Sequence, residues 1–380
     1  MPQPNPLCLF PNLKETGRPY HRIPALVRTA AGSLLAACEL RSDTGDWSAY
    51  ALSLRRSTDG GRSWSAPLQI TVPLPGVRTV NNPVLIACQN GQVLLIHGSD
   101  YRCVWLRLSQ DDGRSFGAPQ EITDGFQLLG THGQPLPYDL LAPGPGHGIE
   151  MPDGTLLLTA WFACGGPLDH FPSATALIRA TKNDLCEAPP WTWQSSRPLL
   201  GDNVDPDGRP AREQPAGWLS PNEACVAPLS PTRVLINVRH RGSRLMRWQG
   251  CSSCPYDSLT GELRPDLPDP ACFGSLAAAG DTPSSLYFVN CQHPTPGSAL
   301  PPQARVNLRL QRSDDAGKTW HQSRTLVPRA GYADLALAPS DSGCGWLLYE
   351  AQEEDSDRLS GIWFQSFRPD DFPSSVSEVF

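Results

Sequence analysis

The sequence predicts an all-β chain and, within that class, a six-bladed β-propeller. Two observations carry the prediction. One eight-residue phrase occurs three times, as STDGGRSW (57–64), SQDDGRSF (109–116) and SDDAGKTW (313–320). Each copy reads Ser, any residue, Asp, any, Gly, any, Ser or Thr, aromatic. Short apolar runs also recur in six groups of three, at a period of about 50–80 residues that a β-sandwich would not keep.

The groups follow one another along the chain. IPALV, SLLAAC and YALSLRR form the first, and PVLIAC, QVLLIH and CVWLRL the second. The third is looser and runs from GHGIEM through TLLLTAWF to ATALIRA. ACVAPL, RVLINV and RLMRW form the fourth; CFGSLA, SLYFVN and RVNLRL the fifth; ADLALA, GWLLYE and GIWFQSF the sixth. A further strand follows the repeated phrase in APLQIT, APQEIT and SRTLV. The phrase itself follows the third strand of its group, where Asp and Gly suit a tight turn and the Ser and Asp side chains can bond its backbone. It reads as a folding device at a hairpin. GPGHG (144–148) has no helix pattern or lysine after it and reads as a turn, not a phosphate loop.

Composition narrows the class of function. The chain has 380 residues, 39% hydrophobic and 18% charged, with 40 prolines and 33 glycines, as in a turn-rich globular protein. We expect one domain over residues 1–380. The net charge is −7 with no basic tract, which argues against a nucleic-acid partner. No apolar run approaches the length of a membrane span, and the N-terminus shows no signal-peptide pattern, so a cytoplasmic location is expected. Among 12 cysteines, CSSC (251–254) is the only close pair, which favours reduced structural cysteines over a zinc site. The eight histidines form no metal-ligand pattern.

The repeated phrases resemble the Asp boxes of sialidases, and the resemblance extends over roughly residues 18–352 in the family's order. YHRIPALV resembles its Arg-Ile-Pro motif. CELRSDTGDWSAYALSLRRSTDGGRSW follows its pattern from a Glu-x-Arg strand through an acidic loop to the first Asp box. NNPVLI, PNEACVAPL, LINVRH, ARVNLRLQRSDDAGKTW, GYADLALAP and LLYEAQ match later motifs. Three Asp boxes are intact, and residues 161–222 match the family poorly.

The resemblance implies an exo-sialidase that cleaves terminal sialic acids from glycans with retention and without metal or cofactor. The carboxylate on the sugar's anomeric carbon calls for arginines. The family's triad maps onto Arg22, Arg239 and Arg305, and Glu350 onto the acid that orients the first. Arg241 and Arg244 are close rivals of Arg239. Tyr332 maps onto the nucleophile and Glu223 onto its base; a neutral phenol approaches an anionic centre more readily than a carboxylate does. Asp46 matches the acid/base, with Asp43 its rival on the same loop. Arg41 and Asn82 resemble residues on the sugar's O4 side. Trp105, Trp161, Phe162 and His170 are candidates for the N-acyl or glycerol pockets. Two alternatives stay open: a non-catalytic sugar-binding propeller, and an enzyme that acts on a related nonulosonic acid or transfers the sugar to another sugar.

Overall fold

The computed structural model describes residues 6–13, 19–71, 74–130, 132–183, 191–211, 219–242, 245–279, 285–293, 300–301, 303–339, 344–353 and 358–368. Among these the chain is all-β, with two single turns of 3-10 helix. β1 (Leu7–Pro11) belongs to the last sheet. The first sheet is an antiparallel meander of β2 (Tyr20–Arg28), β3 (Leu34–Arg41), β4 (Ala49–Ser57) and β5 (Leu68–Thr71). The second holds β6 (Asn81–Ala87), β7 (Val93–Ser99), β8 (Cys103–Ser109) and β9 (Gln120–Glu121).

The chain continues through β10 (Leu140–Pro143), two dipeptide strands β11 (Gly146–His147) and β12 (Ile149–Glu150), then β13 (Leu156–Ala163), β14 (Ser173–Lys182), β15 (Trp191–Ser195) and β16 (Leu199–Leu200). All but β11 form the third sheet. The fourth holds β17 (Pro221–Ser230), β18 (Arg233–His240), β19 (Met246–Ser253) and β20 (Thr260–Pro268). β21 (Ser275–Ala279), β22 (Ser285–Gln292), β23 (Val306–Ser313), β24 (His321–Leu337), β25 (Gly345–Gln352) and β26 (Leu359–Phe367) form a continuous sheet with β1. β24 pairs with β23 up to Arg329 and with β25 from Ala330 onward. β1 pairs antiparallel with β26, so the N-terminal strand completes the last sheet.

The third strand group departs from the sequence reading. β10 precedes GHGIEM on the same edge of β13, and only Ile149–Glu150 of that run joins the third sheet. Gly144 and Gly146 sit at φ +55° and +92° and break that run. The turn expected at 144–148 also carries β11, which pairs parallel with β6 of the preceding sheet. β20 went unforeseen because its sequence is polar and mostly exposed.

Burial on both faces explains the near-continuous apolar runs. On β2, Ala25 and Val27 pack with Leu85, Val93 and Leu95 of the second sheet. Leu26, between them, packs with Leu348, Ile362 and Phe364 of the last sheet. Similar layers join the second sheet to the third, the third to the fourth, and the fourth to the strands after it. The sheets therefore follow one another in a cycle.

The three repeated phrases fold identically. Ser57 Oγ donates to Asp59 at 2.8 Å and accepts from Gly61 N at 2.9 Å; Asp59 accepts from Ser63 N at 2.9 Å and Ser63 Oγ at 2.6 Å. The same bonds recur around Asp111 and Asp315. The central glycine also permits a close approach. A Cβ on Gly113 would lie 2.4 Å from Leu35, and one on Gly317 2.8 Å from Leu235. Each turn therefore docks on the sheet before it, away from the residues described next.

Candidate active site

Four strands carry a break in register where a candidate residue stands. The breaks lie between Arg22 and Ala25, Asn81 and Val84, Pro221 and Ala224, and Ala330 and Ala333. A bulge bends its strand and re-aims a side chain. Arg22, Asn82, Glu223 and Tyr332 sit at or inside these breaks. Pro24 and Pro83 fall within two of them, where the ladder needs no N–H. Ile23 is held at φ +62°, an unfavourable conformation for a β-branched residue. Its N–H donates to Glu350 Oε1 at 2.9 Å.

Glu350 is fully buried. It accepts from Arg22 Nε at 2.6 Å and from Tyr332 N at 3.0 Å. Burial works to raise its carboxyl, but Arg22 and the backbone donors outweigh it and hold the group below the usual carboxylate range. One side chain thus fixes the first arginine and the backbone of the tyrosine. Of the acidic run EEDSD that follows (353–357), residues 354–357 lie outside the described residues.

Tyr332 is 6% exposed. Its hydroxyl donates to Glu223, lying 2.6 Å from Oε1 and 2.8 Å from Oε2, and accepts from Arg239 Nη1 at 2.6 Å. Arg239 Nη1 also bonds Glu223 Oε2. The Cζ atoms of Arg22, Arg239 and Arg305 lie 5.5, 5.8 and 5.3 Å from the centre of the Tyr332 ring. Three guanidinium groups, from β2, β18 and the residue just before β23, therefore converge on one phenol. Among the described residues, Arg305 makes no ion pair. Burial pushes the phenol's pKa well up, and Glu223 adds to this, although Arg239 and Arg305 oppose it. Burial therefore keeps the phenol neutral at ordinary pH, with the Glu223 side chain in contact with it. Arg241 lies just past β18, and burial together with Arg239 lowers its pKa. Arg244 lies outside the described residues.

A second cluster lies within electrostatic reach of Arg22. Arg41 Nε and Nη2 both meet Glu39 Oε2 at 2.6 Å, and Arg41 Nη1 meets Asp46 Oδ1 at 2.8 Å. Glu39 also accepts from Asn82 N at 2.7 Å. Burial favours the protonated form of Asp46, but Arg41, Arg22 and His170 hold its carboxyl below the usual range. Asp43 is exposed and shapes its own loop, accepting from Gly45 N at 2.7 Å. Glu39 was not singled out from the sequence. The available signal was its i, i+2 spacing with Arg41 on one face of β3.

Trp161 and His170 lie beside this cluster. The His170 ring is 5.2 Å from that of Trp161 and 5.5 Å from that of Tyr101. Phe162 does not join them: it packs against Tyr138 within the layer between the second and third sheets. Trp105 is buried and donates to Ser99 Oγ.

No family model matches the chain. It is 25% identical to a sialidase of Bacteroides fragilis over 369 residues, which covers 87% of this chain and 60% of that relative. Among solved structures, the Hadza microbial sialidase Hz136 superimposes with a TM-score of 0.69 at 23% identity, covering 93% of this chain and 66% of that one. A Trypanosoma rangeli sialidase in complex with 2,3-difluorosialic acid, described as a covalent intermediate, superimposes with a TM-score of 0.64 at 16% identity, covering 95% and 58%. The likeness to these two structures is one of fold. The chain spans less than two thirds of the length of each of the three.

Proposed function

We propose, for a chain that belongs to the sialidase family, that it is an exo-sialidase hydrolysing terminal α-linked sialic acids with retention. The observation that carries the reading is Tyr332, whose hydroxyl is held between Glu223 and Arg239 and whose ring is faced by three arginines. A sugar-binding protein needs the arginines but no phenol in contact with a base.

In this reading Arg22, Arg239 and Arg305 bind the sugar's carboxylate. Tyr332 Oη attacks the anomeric carbon as its proton passes to Glu223. Asp46 gives a proton to the departing oxygen, then takes one from the water that cleaves the glycosyl–tyrosine bond, while Glu223 returns its proton to the Tyr332 oxygen as that oxygen leaves. Arg41 and Asn82 contact the O4 side, and Glu350 orients Arg22. A carboxylate held low is a poor acid. The substrate's negative charge would engage Arg22, one of the groups that holds Asp46 low, and so favour protonation of Asp46 in the complex. We also read the sheets as six blades of one propeller domain, with β24 shared between the fifth and sixth. The change of partner along β24 and the cyclic packing support that count.

The test is a screen of 4-methylumbelliferyl glycosides of N-acetylneuraminic acid and of its 5-hydroxy analogue, with the first product anomer identified by NMR. Release of the α anomer of N-acetylneuraminic acid is expected. Turnover of the 5-hydroxy sugar alone would move the assignment to a related nonulosonic acid. Binding without turnover would leave a lectin.

A further inference from the structure

Asp46 has two carboxylate oxygens, and the site described above uses one. Oδ1 is taken by Arg41. Oδ2 faces His170 Nδ1 at 3.7 Å. The residue after Asp46 is also held from that side: the Trp47 ring lies 4.6 Å from Tyr101 and 6.5 Å from His170. Tyr101 Oη approaches the Asp46 carbonyl at 3.4 Å. His170 is packed edge-on against Trp161, and its Nε2 is buried with no hydrogen-bond partner among the described residues. A polar ring held by packing, with one nitrogen toward Asp46, is placed for a role that packing alone does not need.

We propose that His170 is a positioning residue for Asp46, bracing the acid's loop from the third sheet through the second carboxylate oxygen. The inference rests on the sialidase reading of the site. Asp46 is faced by Arg41 and Glu39 from β3, by Arg22 from β2, and by Tyr101 and His170. His170 is faced in turn by Asp46, by Arg239 and Arg241 from β18 and its continuation, and by Glu223 from β17. Burial together with Arg241 and Arg239 outweighs the two carboxylates and lowers the pKa of His170, so its ring is neutral at pH 7. A neutral ring with its proton on Nδ1 donates to Oδ2 once the loop closes by less than an ångström. That bond favours the ionised acid and fixes its direction.

The experiment compares His170→Phe and His170→Gln with wild type on sialyl-lactose, whose leaving group needs a proton, and on the 4-methylumbelliferyl sialoside, whose leaving group needs little. In His170→Phe, kcat/KM for sialyl-lactose should fall about 10- to 100-fold, the scale of a misplaced catalytic group. Its alkaline limb should move to higher pH, because a group that favoured the ionised acid is gone. The aryl sialoside should lose much less, and His170→Gln should restore part of the loss. An unchanged pH profile on sialyl-lactose, or an equal loss on both substrates with no rescue by Gln, would overturn the proposal. A wild type inactive on both substrates would overturn the sialidase reading and the inference with it.

Discussion

Glu350 shows how much rests on a single side chain. Its two oxygens hold the Arg22 guanidinium, the strained Ile23 and the backbone of Tyr332. Glu350→Ala strands a largely buried guanidinium and two backbone N–H groups, which should cost about 3–5 kcal/mol. Urea unfolding would measure it, and a loss below about 1 kcal/mol would mean that the pair is not a structural anchor. The sequence made Arg22, Tyr332 and Glu350 legible because each stands in a short string, RIP, GYAD or LLYE. It did not show that one carboxylate serves the other two residues, since they lie 328 and 18 positions away. Glu39 appeared in the sequence only as the first residue of the Glu-x-Arg pattern, with no role attached. Its role appears only when Asn82 is seen donating to it from the next sheet.

At the scale of the element, the repeated turn is a device whose strength follows pH. Hydrogen bonds from Ser115 hold the half-buried Asp111 carboxyl down to about 2, against about 3.9 in an unfolded chain. A carboxyl depressed on folding stabilises the fold above the higher value, and the contribution is lost as pH falls through the lower one. Asp111→Asn should therefore lower the urea midpoint at pH 6. The gap to wild type should narrow below about pH 4 and close near pH 2. A gap independent of pH would show that the Asn fails for reasons of shape. These turns were readable from spacing alone because the bonds that define them are local, Ser to Asp to Gly within seven residues. The bulges were not. RIP and NNP mark two of them with a proline inside the break, whereas the proline of PNE is the last paired residue before its break and GY has none, and a bulge is defined only against its partner strand. The third sheet was misread because glycines broke a run that pattern alone joins.

Across the whole molecule, residues from β2, β17, β18, β24 and β25 and the one just before β23 meet only because the sheets close into a cycle, and β1 is the fastener. Phe10 is 1% exposed and packs with Leu26, Leu348 and Phe364 from both sides of the junction. Phe10→Ala should cost about 3–5 kcal/mol and lower the thermal midpoint without altering the site. A midpoint equal to that of wild type would show that the N-terminal strand is dispensable to closure. The cyclic order was legible in the repeat period, whereas the sharing of β24 was not, because its two halves read as separate strands. The central claim is that this closure makes Tyr332 a nucleophile. Incubation with a 3-fluorosialyl fluoride, followed by peptide mass mapping, tests it most directly. The account predicts one added fluorosialyl group on Tyr332 in the wild type and none in Tyr332→Phe, which should fold normally and lose most turnover. A label on any other residue, or full activity in Tyr332→Phe, would contradict it.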